Sequence, residues 1–70
     1  MSEGIYKVIE IIGTSAESWE EASKNAVERA AQSVRDLRVA EVVEQDLKLE
    51  NGKVSAYRTK LRVSFKFDGQ

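Results

Sequence analysis

The sequence predicts a small α+β domain whose elements follow the order β-α-β-β. Three features support this fold class: a β-branched run from Ile5 to Ile12, a helical repeat of small apolar residues that begins near Ser18, and two strand-like arms around Asn51-Gly52. We expect the first strand to pair with the last. The result is a three-stranded antiparallel sheet wrapped around one helix.

The composition restricts how such a domain is stabilised. Seventy residues allow one domain, which we assign to residues 1–70. A chain of this length buries only about 60% of its unfolded surface, and disulfides, metals or oligomerisation usually supply the missing stability. The sequence contains no cysteine and no histidine, which excludes disulfides, thiolate metal sites and the commonest catalytic base. Association of copies therefore remains as the source of the missing stability, with or without a hard cation bound to carboxylates.

The charge pattern restricts the partners. The formal net charge is −1, and acidic and basic residues are interspersed without blocks, which argues against nucleic acid as a partner. The run from Ile5 to Ile12 is too short and too charged for a signal peptide, and no apolar run approaches the length of a membrane span. We therefore expect a cytoplasmic protein without a nucleic-acid or membrane partner.

The first strand and the helix follow from local sequence. The run from Ile5 to Ile12 is apolar on both faces, so we expect burial on both sides or a contact with another copy. Ser18 and Glu21 fit a capping box, in which each side chain accepts from the other's backbone N–H. The helix is predicted from Ser18 to about Val34. Its apolar face consists of Trp19, Ala22, Ala26, Val27, Ala30 and Val34.

The hairpin is the strongest signal in the chain. Asn-Gly favours a two-residue type I′ turn, because both central residues need positive φ. The arms Val39 to Glu50 and Lys53 to Ser64 each extend about 40 Å at roughly 3.3 Å per residue, whereas the helix of about 17 residues extends only about 25 Å. The overhang beyond the helix carries Leu47, Leu49, Val54, Ala56 and Tyr57. We expect other copies to cover it.

The turn also predicts how the two arms pair. With Glu50 opposite Lys53, the numbers of paired residues add up to about 103 along the whole hairpin. One face then carries the apolar patch for the helix, which consists of Ala40, Val42, Leu61 and Val63. The other face pairs Val39 with Ser64, Glu41 with Arg62, Val43 with Lys60, Gln45 with Arg58 and Leu47 with Ala56. A β-bulge would shift these pairings.

The element order and a collinear set of short motifs resemble the dodecin family. The matching segments have near-constant spacing and extend from Tyr6 to Phe65. They are Tyr6-Lys7-Val8-Ile9-Glu10, Gly13-Thr14-Ser15, Ala26-Val27-Glu28-Arg29-Ala30, Leu37-Arg38, Glu41-Val42, Tyr57 and Val63-Ser64-Phe65. Dodecins are small flavin-binding proteins that assemble as hollow dodecamers. The resemblance therefore implies a homododecamer, in agreement with the predicted overhang.

Two positions depart from the flavin-binding members of that family. The flavin-stacking tryptophan corresponds to Val39, and the glutamine that hydrogen-bonds the ring edge corresponds to Arg58. Aromatic stacking contributes about 0.5–1.5 kcal/mol beyond the area that it buries, and valine provides none of it. The resemblance is closer to a branch known as calcium dodecin. The segments that carry it are Ser18-Trp19, Arg38-Val39-Ala40-Glu41-Val42, Glu44-Gln45-Asp46, Tyr57-Arg58-Thr59-Lys60-Leu61 and Val63-Ser64-Phe65-Lys66. It implies the same shell with a remodelled flavin site and calcium as the candidate cofactor.

Three residues occupy the positions of the family's ligand-facing surface on the hairpin. They are Val39, Gln45 and Arg58. In one interpretation they line a changed pocket, in which Arg58 holds an anion or a carboxylate of a neighbouring copy. In the other, Arg58 forms an ordinary ion pair within the sheet or between copies.

Three carboxylates are candidate cation ligands. Glu44 and Asp46 are two residues apart on one strand, so their side chains share a face. Calcium needs six to eight oxygen ligands, so symmetry-related copies and backbone carbonyls must supply the others; alternatively, this is a solvated edge. Glu10 lies within the apolar first strand, where it faces a base on the last strand or lines a pore.

These features predict a binding protein and not an enzyme, because the chain lacks a nucleophile–base pair. The first interpretation is a dodecameric shell that binds a small ligand or a cation, calcium in particular, without tight flavin binding. The alternatives are a flavin-storage dodecin, which sequesters riboflavin or FMN in an altered pocket, and a purely structural assembly.

Overall fold

The computed structural model describes residues 4–67, and residues 1–3 and 68–70 lie outside the described part. Its elements are strand β1 (Tyr6–Ser15), helix α1 (Trp19–Ala30), strand β2 (Leu37–Glu50) and strand β3 (Lys53–Lys66). The predicted β-α-β-β order is confirmed. The strands form one antiparallel sheet in the order β1-β3-β2, so β3 is central and pairs with the first strand as predicted.

The core lies between α1 and the middle of the sheet. The helix packs on β1 and β3 and scarcely touches β2. The fully buried side chains are Ala22 of the helix and Thr59, Leu61 and Val63 of the central strand. The Thr59 hydroxyl donates to the carbonyl oxygen of Trp19 at 3.3 Å, so burial leaves this polar group satisfied. The core of the described chain is therefore small.

Gly13 allows the helix to approach β1 closely. A β-carbon at this position would lie 2.2 Å from the carbonyl oxygen of Ala22 and 2.7 Å from the β-carbon of Ala26. Both distances are far below contact, so the close approach needs a glycine. The small side chains on the helix face serve the same packing.

The ends of the helix differ from the prediction in two ways. Ser18 is the N-cap and its hydroxyl accepts from the Glu21 N–H at 3.0 Å. The reciprocal bond is made by the hydroxyl of Ser15, which accepts from the Ser18 N–H at 3.4 Å. The helix ends at Ala30 and not at Val34, because shorter-range turns follow and lead into β2 at the positive φ of 60° at Asp36.

The turn at Asn51-Gly52 is confirmed, with φ values of 53° and 77°. The predicted pairing is also confirmed at both ends of the hairpin, including Glu50 with Lys53 and Val39 with Ser64. In between, a bulge at Ser55 shifts the register by one residue, and a second bulge at Val43 restores it. The Ser55 hydroxyl donates to the Lys48 carbonyl at 3.3 Å across the first bulge.

Three predicted pairings fall between these bulges and are wrong. The sequence predicts Val43, Gln45 and Leu47 opposite Lys60, Arg58 and Ala56 of the central strand. In the structure, the residues opposite these three positions are Glu44, Asp46 and Lys48, respectively. A one-residue slip exchanges the two faces of a strand. The shift therefore decides which side chains meet the basic residues of β3.

The molecule is elongated and leaves apolar surface exposed. It measures 53 × 20 × 16 Å, and its radius of gyration of 14.4 Å exceeds the roughly 11 Å of a compact 70-residue domain. The predicted overhang is confirmed at Leu47, Leu49 and Val54, which are 40%, 59% and 48% exposed. The prediction is wrong for Tyr57, because its ring packs against Trp19 and is half-buried.

Candidate functional site

The surface of the sheet that faces away from α1 carries most of the candidate residues, and we name it the open face. Side chains alternate along a strand, so the residues next to the buried Thr59, Leu61 and Val63 point to this side. The open face consists of Val8, Glu10, Ile12 and Thr14 on β1, Arg58, Lys60, Arg62 and Ser64 on β3, and Val39, Glu41, Glu44 and Asp46 on β2.

Ion pairs connect the central strand to both edge strands on the open face. Arg62 lies between two carboxylates, at 3.0 Å from Glu10 on β1 and 3.9 Å from Glu41 on β2. Lys60 lies 3.8 Å from Glu44. The basic side chains of β3 thus form a central row, and acidic side chains of the edge strands lie beside it.

Asp46 and Arg58 form the tightest pair. The Nε and Nη2 groups of Arg58 donate to the two carboxylate oxygens of Asp46 at 2.7 and 3.0 Å. This bidentate geometry is characteristic of strong arginine–carboxylate pairs. The hydrogen bond from Arg58 lowers the pKa of Asp46, and the same bond from Asp46 raises the pKa of Arg58. Both groups therefore stay charged over a wide pH range.

The three candidate cation ligands share the open face, but each is engaged by a base. Glu10 faces Arg62, so the first of the two interpretations of that residue is confirmed. Asp46 is held by Arg58. Glu44 has only a long contact to Lys60 and its side chain is 59% exposed, so it is the most accessible of the three.

A calcium ion does not find a complete set of ligands in one copy of the described chain. Calcium takes six to eight oxygens, and within residues 4–67 no three acidic side chains gather closely enough to hold a metal ion. Because β2 is an edge strand, Glu41 and Glu44 lie at the border of the sheet.

The structure does not bring Val39, Gln45 and Arg58 together. Gln45 pairs with Thr59 and lies on the helix side, so its predicted pairing with Arg58 is wrong. Val39 shares the open face with Arg58 and is 61% exposed. Its partner Ser64 is six residues from Arg58 along β3, which is about 20 Å at 3.3 Å per residue. A single ligand could contact both only if they came from different copies.

Trp19 has a role that the sequence did not indicate. The sequence places Trp19 on the apolar face of the helix, and the structure adds a hydrogen bond from the indole Nε1–H to the carbonyl oxygen of Asp46 at 3.1 Å. The indole also meets the ring of Tyr57 edge-on, with centroids 5.2 Å apart and planes at 80°. The two residues of the hydrogen bond are 27 positions apart, and no local motif marks such a contact.

Two shallow cavities lie away from the ion pairs. One of about 430 Å³ lies between α1 and β1, with Ile11, Asn25 and Arg29 at its wall. The other, of about 200 Å³, is bounded by Val27, Leu37 and Val39. The smaller cavity is lined mainly by apolar side chains and the larger one by apolar and polar side chains alike. None of the candidate cation ligands borders either cavity.

Comparisons with known proteins agree on one family. The family model described as Dodecin matches residues 5–68. Calcium dodecin from Mycobacterium tuberculosis is 56% identical over 62 residues, which cover 89% of this chain and 87% of that protein. In the part of the chain that the structure describes, no helix is long and apolar enough to cross a membrane.

Solved structures give the same result. The crystal structure of the calcium-chelating antigen calcium dodecin from M. tuberculosis, described with a calcium-binding site, matches with a TM-score of 0.82 at 56% identity over 94% of this chain and 96% of that chain. Dodecin from Streptomyces coelicolor matches with a TM-score of 0.90 at 35% identity over 97% of both chains. Dodecin from Streptomyces davaonensis matches with a TM-score of 0.89 at 34% identity over 96% of this chain and 98% of that chain.

Proposed function

This chain belongs to the dodecin family, and on that premise we propose that it forms a dodecameric shell that binds calcium where copies meet, without catalytic activity. The observation that carries the proposal is the 56% identity to a calcium dodecin over 89% of the chain. The cytoplasm is the proposed location.

Exposed apolar surface supports the assembly. Soluble monomers rarely expose large contiguous apolar patches, whereas large apolar residues of this chain are exposed on both edge strands, on the overhang, and next to the ends of β1 and β3. They are Ile5, Tyr6, Val8, Ile12, Val39, Val42, Val43, Leu47, Leu49, Val54 and Phe67. The buried core of the described chain is much smaller than this set, so contacts between copies supply the missing burial.

Carboxylates of the open face support the choice of cation. Oxygen ligands are what calcium prefers, and the chain has no histidine or cysteine to favour a softer metal. Glu44 is the first candidate ligand because its contact to Lys60 is long, and Glu10 and Asp46 are the less accessible ones. Bound calcium would offset the repulsion between carboxylates of adjoining copies.

Flavin storage is the competing function, and two residues argue against it. Val39 offers no aromatic ring for stacking, and Arg58 is already occupied by the bidentate bond to Asp46. A flavin that used Arg58 would have to displace a charge-assisted pair. Riboflavin and FMN are therefore expected to bind weakly.

The test is a calorimetric titration of chelator-washed protein with calcium chloride, and with magnesium chloride in parallel. We expect calcium binding, and we expect Glu44→Gln to weaken it about tenfold, which corresponds to about 1.4 kcal/mol. Glu28→Gln on the exposed side of the helix is the control and should leave the affinity unchanged. Absence of calcium binding in the parent protein, or quenching of riboflavin fluorescence at micromolar protein, would overturn the proposal.

A further inference from the structure

The structure shows one register of the hairpin arms, and the length of the turn alone would permit a simpler one. In the simple one, the two-residue turn fixes a single offset along the whole hairpin, so that Gln45 faces Arg58 and Leu47 faces Ala56. In the observed one, bulges at Ser55 and Val43 enclose a stretch that is shifted by one residue. The two registers share the turn and the pairs that Val39 to Val42 make with β3. They differ in this central stretch and at Leu37, because a further register shift lies between Leu37 and Val39.

The choice of register decides which side chains reach the open face. In the observed register, Glu44 and Asp46 lie opposite Lys60 and Arg58. In the simple register, Val43 and Gln45 would take those places, because a shift of one residue exchanges the faces of a strand. The two carboxylates would then turn towards the helix side, where Asp46 would lose Arg58.

Trp19 contacts both arms of the hairpin within this stretch, from the helix side. Its indole Nε1–H donates to the carbonyl oxygen of Asp46 on β2 at 3.1 Å. Its ring packs edge-on against Tyr57 on β3, and its carbonyl oxygen accepts from the hydroxyl of Thr59 at 3.3 Å. Tyr57 and Thr59 are the chain neighbours of Arg58. The contacts of Trp19 therefore lie directly behind the Asp46–Arg58 pair, on the helix side of the sheet.

We propose that Trp19 is a positioning residue that selects the shifted register and thereby presents Glu44 and Asp46 on the open face. The indole hydrogen bond fits only a register in which the carbonyl of Asp46 lies beside the ring. Removing one such bond is expected to change the ratio of the two registers by about tenfold. The statement about register is independent of calcium; only its relevance to cation binding rests on the proposed function.

Engineered disulfides can report the register, because the chain contains no cysteine. Residues directly opposite in an antiparallel pair have α-carbons about 4.5–5.5 Å apart, which is within the range that a disulfide bridges. The pair Lys48→Cys with Ala56→Cys reports the observed register. The pair Leu47→Cys with Ala56→Cys reports the simple one, since these two side chains now lie on opposite faces.

The experiment compares the two pairs in four backgrounds under mild oxidation, with intramolecular bridges identified by peptide mapping. With native Trp19, only the Lys48 pair should oxidise. Trp19→Phe, which keeps the ring and removes the donor, and Trp19→Ala should raise the oxidised fraction of the Leu47 pair about tenfold. Glu20→Gln is the matched control, because Glu20 is the exposed neighbour of Trp19 in the same helix.

Unchanged oxidation of both pairs in the folded Trp19→Phe protein would overturn the role of Trp19. If the register moves but the parent protein binds no calcium, the inference stands and the proposed function fails. If the parent protein binds calcium but the register does not change when Trp19 is replaced, the proposed function stands and the inference about Trp19 fails.

Discussion

Asp46 makes hydrogen bonds on both sides of the sheet. Its carbonyl oxygen accepts from Trp19 on the helix side, and its carboxylate accepts two hydrogen bonds from Arg58 on the open face. The pair is partly exposed, with 44% of the Asp46 side chain accessible, so solvent reduces its contribution to stability. Its importance lies in orientation, because the two hydrogen bonds fix the direction of the Arg58 guanidinium on the open face.

The Asp46–Arg58 pair predicts a specific pH dependence of stability. Because the hydrogen bond from Arg58 lowers the pKa of Asp46 in the folded protein, this contribution is present above the ordinary aspartate value of about 3.9. It is lost as the pH falls through the lowered pKa of Asp46. We therefore expect Arg58→Gln to lower the urea midpoint at pH 7, and the difference from the parent protein to shrink below pH 4.

If the difference in urea midpoint between the parent and the Arg58→Gln protein stays constant on acidification, this account of the Asp46–Arg58 pair is wrong. The Arg62→Gln protein shows how far the urea midpoint falls when an arginine of the open face other than Arg58 is removed. Arg62 pairs with Glu10 and Glu41 at 3.0 and 3.9 Å and not with Asp46.

At the scale of elements, the contact between α1 and β1 depends on the absence of a side chain. Gly13→Ala places a methyl group 2.2 Å from the carbonyl oxygen of Ala22, so the helix must move outward. Overpacking of this kind typically costs about 1–3 kcal/mol, and we expect a fall in the urea midpoint of corresponding size. Thr14→Ala, at an exposed position of the same strand, should have little effect; equal midpoints for Gly13→Ala and the parent would contradict the packing.

Local chemistry made most of the elements predictable. The N-cap at Ser18 and the turn at Asn51-Gly52 follow from the preferences of single residues, and the pairing next to the turn follows from its length. The end of the helix was predicted too late, because the apolar spacing continues to Val34 while the chain already turns after Ala30. Periodicity does not show where the hydrogen bonds of a helix stop.

The candidate site was less predictable, because its geometry depends on bulges. The shift at Ser55 and Val43 exchanges Gln45 for Asp46 opposite Arg58, and neither residue type marks a bulge in the sequence. The hydrogen bond that accompanies the shift joins Trp19 to a residue on another element, so it depends on the tertiary structure. Glu44 and Asp46 share a face as the sequence predicts, but the predicted register turns that face towards the helix, whereas the structure turns it to the open face.

At the scale of the whole molecule, the hairpin overhang connects fold and assembly. Beyond Ser15 the strand β1 ends, so the outer part of the hairpin consists of two strands without a third strand or a helix. Isolated two-stranded hairpins are marginally stable in water. Leu49 and Val54 at the end of this hairpin are 59% and 48% exposed, and neighbouring copies are expected to cover them.

The overhang therefore predicts an effect of charge on assembly. Replacing Leu49 and Val54 together by glutamate should convert the assembly into smaller species, because two charges would enter a contact that buries apolar side chains. Light scattering coupled to size-exclusion chromatography measures the mass. Lys53→Glu changes the charge at the same end without removing an apolar group and is the control; an unchanged mass for the double variant would show that the overhang is not a contact.

The central claim, a shell that binds calcium and not flavin, is tested most directly by native mass spectrometry of the protein as purified, before and after calcium is added, with an absorbance spectrum of the same sample. The account predicts a colourless dodecamer whose mass increases by multiples of the calcium ion and returns to its original value with a chelator. A monomer would contradict the assembly, and a yellow dodecamer that carries the mass of a flavin would contradict the assignment of its ligand.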